Sequence, residues 1–578
     1  MPENRRVAAK RQSGLFQVDK NHDGNMDLSF SGPDTTSQYS PMEYWVNNGN
    51  DQAGTFGNLD FDAQVPPALP NYLPTRLFPL GHISCPRDLE NFARLWICGM
   101  PKLPNNYQVS LSWNVTSGSP AINLYNSVET NGGTGYLTDT NIAYQQCLAY
   151  AYGTPPYNVI SGPGAAIASI TAASSYTFPV NCFTNSGNQH FLFEGAGIGI
   201  GQLVMTITDQ NSNVIAQTGV WLDLRDVKGM YQRVKVTPRD PNGIPGPFNS
   251  ATTFDENTAD VDTNSDGYGF SPSADESQTA TVFVHGSNLS YPSALSNGDT
   301  MFKRLYWQGY NGRFVLFYWN TLVGPGGGTI PAHYNYNEFR SFKYGPALKK
   351  YVENDLPAGY AKNVIGHSMG NMVIASALYP RGGTPGMTCR NVIFMQAAVP
   401  ASCMDPGAAT LPALASLESP QTTPDDFASQ MGYRGLVSTN VNAALYNIYN
   451  AQDFALGWWI FNQQHYKPED LAYDTDPIVG TKYEWNGATD IGVLYYANGF
   501  LHRTVIDPQE SMSFIARSRT EALGRVSTVG SITQNQNVGP GTTFPIPFGG
   551  TRDDHSGEFT RPIQQLNGFY NYLFKLVD

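Results

Sequence analysis

The feature that most constrains the fold is a Gly-x-Ser-x-Gly motif with a strand-like run before it and a helix-like run after it. Residues 362–365 read Lys-Asn-Val-Ile, residues 366–370 read Gly-His-Ser-Met-Gly, and residues 371–378 are rich in helix formers and small side chains. A nucleophile elbow requires this order of strand, sharp turn and helix. The motif therefore predicts a sheet with helices packed against it.

The two glycines of the motif have a steric reason. Ser368 must adopt a strained backbone conformation, and side chains two positions away on either side would collide with neighbouring elements. The following helix points its N-terminus at the site, so the backbone N–H of Met369 is placed to bind a developing oxyanion. Ser368 is the predicted nucleophile, and the alternative is an ordinary Gly-Ser turn before a helix.

Composition narrows the class of protein. The chain has 578 residues, a formal net charge of −13 and 14% charged residues, whereas soluble domains typically have roughly 25%. With 57 Gly, 40 Pro and 33 Tyr, this profile indicates a β-rich, secreted or cell-surface bacterial protein. An acidic balance without a Lys/Arg cluster argues against nucleic acid as a partner. No apolar run reaches the ~18 residues that a transmembrane segment needs.

Two further features bear on the compartment. The first 17 residues are polar and basic and lack the apolar stretch of a signal peptide, so export is inferred from composition alone. Six cysteines stand at positions 85, 98, 147, 182, 389 and 403. Three disulfides would fit an oxidising compartment; Cys389 and Cys403 are the most natural pair, and the other four allow three connectivities. Six unpaired thiols are the equal alternative.

A short acidic run near the N-terminus is similar to a calcium loop. Residues 19–27 read Asp-Lys-Asn-His-Asp-Gly-Asn-Met-Asp, with oxygen-bearing side chains at alternate positions, as in the first half of an EF-hand or dockerin loop. Phe30 takes the place of the closing acid, so a polar Asx-turn loop is the alternative. Residues 262–267 repeat the pattern, and solvated aspartates are the simpler interpretation there. The predicted ligands of a structural calcium are Asp19, Asn21, Asp23 and Asp27.

Changes in composition and in the pattern of polarity divide the chain into four regions. Residues 1–74 form an N-terminal segment, and residues 75–235 contain short runs of alternating polarity between turn residues, which predict a β-sandwich-like domain. Residues 236–278 are rich in Pro, Asn, Asp, Ser and Gly and predict a linker. In residues 279–578 strands alternate with helices, which predicts a mostly parallel α/β sheet flanked by helices. The clearest strands there are 281–284, 313–319, 391–395 and 444–449, and residues 564–575 form a closing helix.

With the elbow and this strand order, the region 279–578 resembles the α/β-hydrolase family. In that family one oxyanion donor is the N–H after the nucleophile, and the other lies in a loop after an earlier strand that often ends in His-Gly. The resemblance therefore implies an oxyanion hole made by Met369 and Ser287. His285 is expected to be structural, because it precedes the nucleophile whereas the family order is Ser, acid, His.

The acid and the base are chosen by their positions. Asp453 follows an apolar strand and a polar turn, at the carboxyl end of a strand where ligands collect. His555 lies on a polar loop shortly before the last helix, where the family carries its base, and a loop His can reach across the sheet to Ser368. The rivals are Asp425, Asp426 and Asp470 for the acid, and His465 and His502 for the base.

A bulky apolar run directly follows the predicted acid. It contains Phe454, Trp458 and Trp459, which we predict to contact substrate in an acyl or aromatic pocket or to belong to a lid. Packing of a helix against the sheet is the alternative for each of them.

Together these features imply a serine hydrolase of the esterase or lipase type. It would cleave carboxylic esters through an acyl-enzyme with a Ser-His-Asp triad, without an organic cofactor and on an ester substrate that is hydrophobic or polymeric. A peptidase or thioesterase would use the same triad. A non-catalytic cell-surface binding protein, in which the β-rich half does the binding, is the alternative from another class.

Overall fold

The structure is a computed structural model of the chain. It describes residues 15–25, 31–47, 89–100, 102–126, 166–183, 187–237, 260–263, 266–287, 289, 291–319, 321, 341, 344–380, 384–399, 401–404, 441–451, 453, 456, 475–476, 481–485, 491–497, 500–506, 522–527, 532–539, 541–544, 555–560 and 563–578.

The first part of the chain forms a sheet of eight strands that is antiparallel except where β2 pairs with β8. Its strands are β1 (Leu15–Val18), β2 (Met42–Trp45), β3 (Ala93–Met100), β4 (Gln108–Asn126), β5 (Ala168–Ile170), β6 (Tyr176–Thr177), β7 (Gly187–Thr208) and β8 (Val214–Arg225). The long strands β4 and β7, of 19 and 22 residues, pair with each other along most of their length. The described strands are thus joined into one hydrogen-bonded sheet, whereas the sequence predicted a sandwich-like unit.

The second part forms another eight-stranded sheet, in the order β10-β9-β12-β11-β13-β14-β15-β20. These strands are β9 (Gln232–Thr237), β10 (Asp260–Thr263), β11 (Thr279–Val284), β12 (Arg313–Trp319), β13 (Ala361–His367), β14 (Thr388–Met395), β15 (Asn442–Tyr449) and β20 (Gln534–Asn537). All neighbours are parallel except the pair β9 and β10. Parallel neighbours put their carboxyl ends at one edge, and the elbow lies there.

The parallel sheet begins earlier in the chain than residue 279, where the sequence placed the start of the α/β region. Strand β9 begins before the predicted linker and extends into its first two residues, and β10 lies inside it. In β9 the alternating Val234 and Val236 are buried, and β9 adds to the sheet beside β12, with Val234 opposite Phe317. Two valines in a polar stretch are too short a pattern to identify a strand, so its partner decides its conformation.

Few helices have both ends within the described residues. They are α1 (Tyr291–Trp307), α2 (Gly370–Leu378), α3 (Gly557–Thr560) and α4 (Ile563–Val577), with a π-helical turn at Tyr351–Asp355 and 3-10 turns at Leu89–Asn91, Val180–Phe183, Val227–Gly229, Ala401–Met404 and Leu523–Arg525. Among the residues that the structure describes, no helix has both the length and the apolar character to cross a membrane.

A small antiparallel meander completes the described strands. It consists of β16 (Thr475–Asp476), β17 (Thr481–Trp485), β18 (Ile491–Ala497) and β19 (Phe500–Ile506), paired in that order. His502, a rival for the base, lies on β19 opposite Tyr495 of β18.

The two faces of the parallel sheet pack in different cores. Successive side chains of a strand point to opposite faces, and in β11 Val282 and Val284 belong to one buried cluster while Phe283 belongs to the other. The cluster around Phe283 also contains buried side chains of α1, α4 and the antiparallel sheet. The cluster around Val282 contains α2. The antiparallel sheet therefore shares a hydrophobic core with one face of the parallel sheet.

The four described cysteines are free thiols. Cys98, Cys389 and Cys403 are buried and Cys182 is half-buried, and burial raises the pKa of the Cys389 thiol to about 12. The pair Cys389 and Cys403, which the sequence favoured, is therefore not a disulfide in this structure, and the alternative of small buried thiols holds for both. Cys85 and Cys147 lie outside the described residues.

Candidate active site

The predicted nucleophile stands in a strained turn between β13 and α2. Ser368 has a φ of +52°, a left-handed conformation that costs a non-glycine residue roughly 1–3 kcal/mol. A Cβ on Gly370 would lie 2.2 Å from the carbonyl oxygen of Val284 on β11. A Cβ on Gly366 would lie 2.3 Å from Oδ1 of Asn371. Both motif glycines are therefore sterically required, Gly370 against backbone that cannot move aside.

Hydrogen bonds hold this turn in place. The N–H of Ser368 donates to the carbonyl of Met395 at the end of β14 (3.2 Å), and the N–H of Ala398 donates to the carbonyl of Ser368 (3.1 Å). The Asn371 amide donates to both carbonyls, at 3.0 Å to Ser368 and 3.1 Å to Met395. The elbow is thus fixed to the neighbouring strand from two sides.

Three side chains that are distant in sequence meet at the carboxyl edge of the sheet. Oγ of Ser368 is 2.8 Å from Nε2 of His555, and Nδ1 of His555 is 2.7 Å from Oδ2 of Asp453. Asp453 is 1% exposed and Ser368 is 9% exposed, while the His555 side chain is 15% exposed. The Nδ1–H of His555 donates to the carboxylate, which leaves Nε2 free to accept from the serine hydroxyl.

Gln396, which was not predicted from the sequence, supports the acid. Nε2 of Gln396 donates to Oδ2 of Asp453 at 2.9 Å, and the backbone N–H of Leu456 donates to Oδ1 at 2.9 Å. Gln396 has a φ of +40° and directly follows β14. Its position after a strand at the active edge of a parallel sheet is the signal that could have identified it. The carboxylate is therefore fixed by two donors besides His555.

The two residues of the predicted oxyanion hole flank Ser368. Met369 is the N-cap of α2 and is fully buried. Ser287 is half-buried and comes after β11 and Gly286. A Cβ on Gly286 would lie 3.1 Å from Cβ of Ser368, so the backbone of the Ser287 loop passes directly beside the serine. This arrangement can place two backbone donors near one acceptor atom.

Among the described residues, the ring of His285 makes hydrogen bonds to backbone atoms only. Nε2 accepts the N–H of Trp319 (3.3 Å), so the ring proton is on Nδ1, which donates to the carbonyl of Gly286 (2.8 Å). The ring is fully buried, and this burial lowers its pKa to about 4. A neutral, backbone-bound imidazole fits the structural role that the sequence predicted for it.

Several predicted residues fall outside the described part of the chain. These are the substrate-contact candidates Phe454, Trp458 and Trp459, the metal-ligand candidate Asp27, and the rivals Asp425, Asp426, Asp470 and His465.

Several oxygen atoms of the N-terminal acidic loop accept hydrogen bonds within the protein. Oδ2 of Asp19 accepts from Arg94 and from the N–H of Gly24, and the backbone N–H of Asp23 donates to Oδ1 of Asn21 at 3.1 Å. Within the described ranges, no cluster of three or more His, Cys, Asp or Glu side chains is arranged to hold a metal ion. The described residues fit the Asx-turn alternative, with the Arg94 guanidinium supplying the positive charge.

Asp34 also contacts this loop, and it was not predicted from the sequence. It is 2% exposed, and its Oδ1 accepts the N–H of Lys20 at 2.9 Å. Burial raises the pKa of Asp34 to about 7. Calcium binding by the loop stays a prediction, which the effect of a chelator on the unfolding temperature would test.

Comparisons with known proteins add little. Neither a family model nor a curated protein matches the sequence. Among solved structures, an esterase of Pyrococcus furiosus is similar over 31% of this chain and 63% of its own, with 16% identity and a TM-score of 0.17. BcpA, the major pilin subunit of Bacillus cereus, is similar over 30% of this chain and 49% of its own, with 11% identity and a TM-score of 0.13. The chain spans less than two thirds of either protein, and TM-scores this low carry no argument.

Proposed function

We propose that this protein is a serine hydrolase of the α/β-hydrolase type that cleaves carboxylic esters through an acyl-enzyme. The observation that carries the proposal is the chain of hydrogen bonds from Oγ of Ser368 through His555 to Asp453, at 2.8 Å and 2.7 Å. A serine hydroxyl is a weak nucleophile unless an adjacent base takes its proton and a third group orients that base.

The proposed reaction uses these three groups in two stages. Oγ of Ser368 attacks the ester carbonyl while Nε2 of His555 takes the hydroxyl proton. The resulting imidazolium then gives that proton to the alcohol oxygen as the bond from the carbonyl carbon to that oxygen breaks. In the second stage His555 takes a proton from water as the water oxygen attacks the acyl carbon. The imidazolium then gives that proton to Oγ of Ser368 as the bond from the acyl carbon to Oγ breaks, which releases the carboxylic acid and restores the serine.

Two features of the surroundings support these roles. The carboxylate of Asp453 faces Nδ1 of His555 in a buried setting, where it stabilises the imidazolium more strongly than it would in water. The oxyanion that forms on the carbonyl needs preorganised donors, and we assign this role to the backbone N–H groups of Met369 and Ser287.

A serine-directed probe tests the proposal most directly. We expect an alkyl fluorophosphonate to label the wild-type chain at Ser368 and to leave Ser368→Ala unlabelled, because phosphonylation needs the activated hydroxyl. A wild-type protein that neither reacts with the probe nor hydrolyses any ester would support the alternative of a non-catalytic binding protein.

The substrate class needs a second measurement, because a peptidase and a thioesterase would use the same triad. We propose p-nitrophenyl esters of rising acyl length, thioesters of the same acids and chromogenic peptides as one panel. The highest kcat/KM is expected among the esters. Faster turnover of the peptides or the thioesters than of every ester would reassign the reaction while leaving the triad intact.

We further propose that the protein acts outside the cytoplasm on a hydrophobic or polymeric ester. The low charge fraction and the high Gly, Pro and Tyr content support this setting. Phe454, Trp458 and Trp459, which follow the acid in sequence, are the proposed contacts for the acyl or aromatic part of the substrate. Fractionation of the native host, with the probe as a reporter, would test the compartment.

A further inference from the structure

A second pair of histidine and acid stands beside the first. His367 is the last residue of β13, immediately before Ser368, and its Nε2 lies 2.9 Å from Oε1 of Glu558 in α3. The same Nε2 lies 2.7 Å from the backbone carbonyl oxygen of His555. His367 is 4% exposed and Glu558 is fully buried. His367 thus connects the proposed nucleophile to the proposed base, although it is neither of them.

His367 and Glu558 make two different kinds of contact at Nε2 of the ring. Nε2 of His367 has one proton to donate, and the carbonyl of His555 lies in hydrogen-bonding geometry. Neither carboxylate oxygen of Glu558 has a hydrogen-bond partner in the described part of the chain, so its approach to the ring is an electrostatic contact. A buried carboxylate next to Nε2 favours the ring form that carries a proton on Nε2. That form is the donor that the His555 carbonyl needs.

The segment that carries His555 is also held from outside the elbow. Nη1 of Arg304 and the hydroxyl of Tyr570 both donate to the carbonyl of Glu558, at 2.7 Å and 2.8 Å. The ring of Phe559 packs edge-on against the His367 ring, with centroids 5.0 Å apart. These contacts keep Glu558 beside His367.

The consequence is a double connection between two short segments. Residues 367 and 368 are adjacent on the elbow. The side chain of Ser368 binds the imidazole of His555, and the side chain of His367 binds the backbone carbonyl of His555. A base whose backbone is fixed to the same elbow as the nucleophile cannot drift from it without breaking the bond to His367. A displacement of about 1 Å in such a pair can lower the rate about 10²-fold.

We infer that His367, held by Glu558, is a positioning residue that sets His555 against Ser368. This inference rests on the proposed function, because it assigns His367 a part in the reaction of the Ser368 site. It contacts no reacting atom in this role and acts through the backbone of the base.

The test compares two amides at this position. The side-chain amide nitrogen of Gln reaches as far as Nε2, whereas that of Asn is one bond shorter. We expect His367→Gln to keep most of the wild-type kcat and His367→Asn to lose it by about 10²-fold with little change in KM, since binding of the ester is untouched. Glu558→Gln, which removes the charge and keeps the shape, is expected to lower kcat by less than His367→Asn.

Asn363 provides a matched control on the same strand. It is fully buried and its amide donates to the carbonyl of Val577 at 2.7 Å, so Asn363→Leu also removes a buried bond to the C-terminal segment, but away from the site. We expect it to lower the unfolding temperature and to leave kcat unchanged. If His367→Asn does not fold, the comparison passes to His367→Met, which has no donor.

The outcomes separate this inference from the proposed function. If the fluorophosphonate does not label the wild-type chain, the proposed function fails and takes the inference with it. If the wild type is labelled and His367→Gln and His367→Asn have equal kcat, the positioning role alone is wrong. It is also wrong if Asn363→Leu lowers kcat as much as His367→Asn does, because the effect would then be general destabilisation.

Discussion

At the scale of single residues, the site combines a strained serine with a strongly supported acid. The positive φ of Ser368 persists because its carbonyl and amide groups are bonded to Asn371, Ala398 and Met395. Asp453 has two donors besides His555. Both residues are therefore held before substrate arrives, which is the condition for preorganised catalysis.

The role of Asp453 predicts a large effect from a small change. In Asp453→Asn the amide can present its N–H to Nδ1 of His555, which favours the wrong tautomer of the base. We expect kcat for a p-nitrophenyl ester to fall about 10⁴-fold, as for the equivalent change in serine proteases, with the fold intact by circular dichroism. Asp425→Asn, at a rival acid, is the control and should leave kcat unchanged; a loss there instead would mean that the acid is misassigned.

The burial of His285 predicts a pH dependence of stability. Its pKa is about 4 in the folded protein against 6.5 in the unfolded chain, so between these values only the unfolded chain binds the proton. Stability from this group is complete above pH 6.5 and is lost as the pH falls towards 4. The full loss is about 3 kcal/mol, at 1.36 kcal/mol per pKa unit.

Urea denaturation at a series of pH values measures this effect. The wild-type free energy of unfolding should fall more steeply between pH 6.5 and 4 than that of His285→Asn, in which no imidazole titrates. Parallel curves for the two proteins would show that His285 is not the group responsible.

At the scale of elements, the crossing of α2 over β11 depends on a missing side chain. Gly370 begins α2, and a Cβ there would overlap the backbone of Val284 and His285 at 2.2 Å and 2.5 Å. We expect Gly370→Ala to destabilise the protein by about 1–3 kcal/mol and to abolish labelling at Ser368, since the helix must shift away from the elbow. Thermal unfolding and probe labelling measure the two effects.

Gly568 in α4 provides a control of opposite sign. Its added Cβ would meet only Phe544, at 3.6 Å, an ordinary contact. Because Ala is a better helix former than Gly by about 1 kcal/mol, Gly568→Ala should raise the unfolding temperature slightly. Equal destabilisation by the two substitutions would contradict the steric explanation.

At the scale of the whole molecule, the antiparallel sheet and the α/β part are joined by buried contacts. Nε of Arg304 on α1 donates to Oε1 of Glu90 at 3.2 Å, and the hydroxyl of Tyr306 donates to the carbonyl of Glu43 at 2.6 Å. Arg304 is fully buried, so loss of Glu90 would remove the carboxylate that pairs with a buried charge, at a cost of about 3–5 kcal/mol.

This joining predicts that the second part does not fold alone. A truncated chain of residues 227–578 would expose the buried face of α1, including Phe302 and Trp307, and we expect it to be insoluble and unreactive towards the fluorophosphonate. The full chain produced in parallel is the control. A soluble fragment labelled at Ser368 would show that the antiparallel sheet is dispensable for the site.

Features that depend on local sequence could be predicted, whereas features that depend on contacts between distant segments could not. Local steric rules placed Ser368 between two required glycines, and the position of Asp453 after a strand selected a residue that the structure brings to His555. The pairing of β9 with β12, the support by Gln396 and the contact of Glu558 with His367 join segments that are distant in sequence. No local periodicity encodes such contacts. For this reason neither strand β10 in the predicted linker nor the contact of His367 with Glu558 was predicted from the sequence.

The separation of Ser368 from His555 by 187 residues has a consequence for biosynthesis. A ribosome adds roughly 5–20 residues per second, so about 10 to 40 s pass between the synthesis of the two. During that interval the nascent chain carries the serine without its base. On the proposed function, a translation product that stops short of His555 lacks the base, and we expect it not to hydrolyse esters.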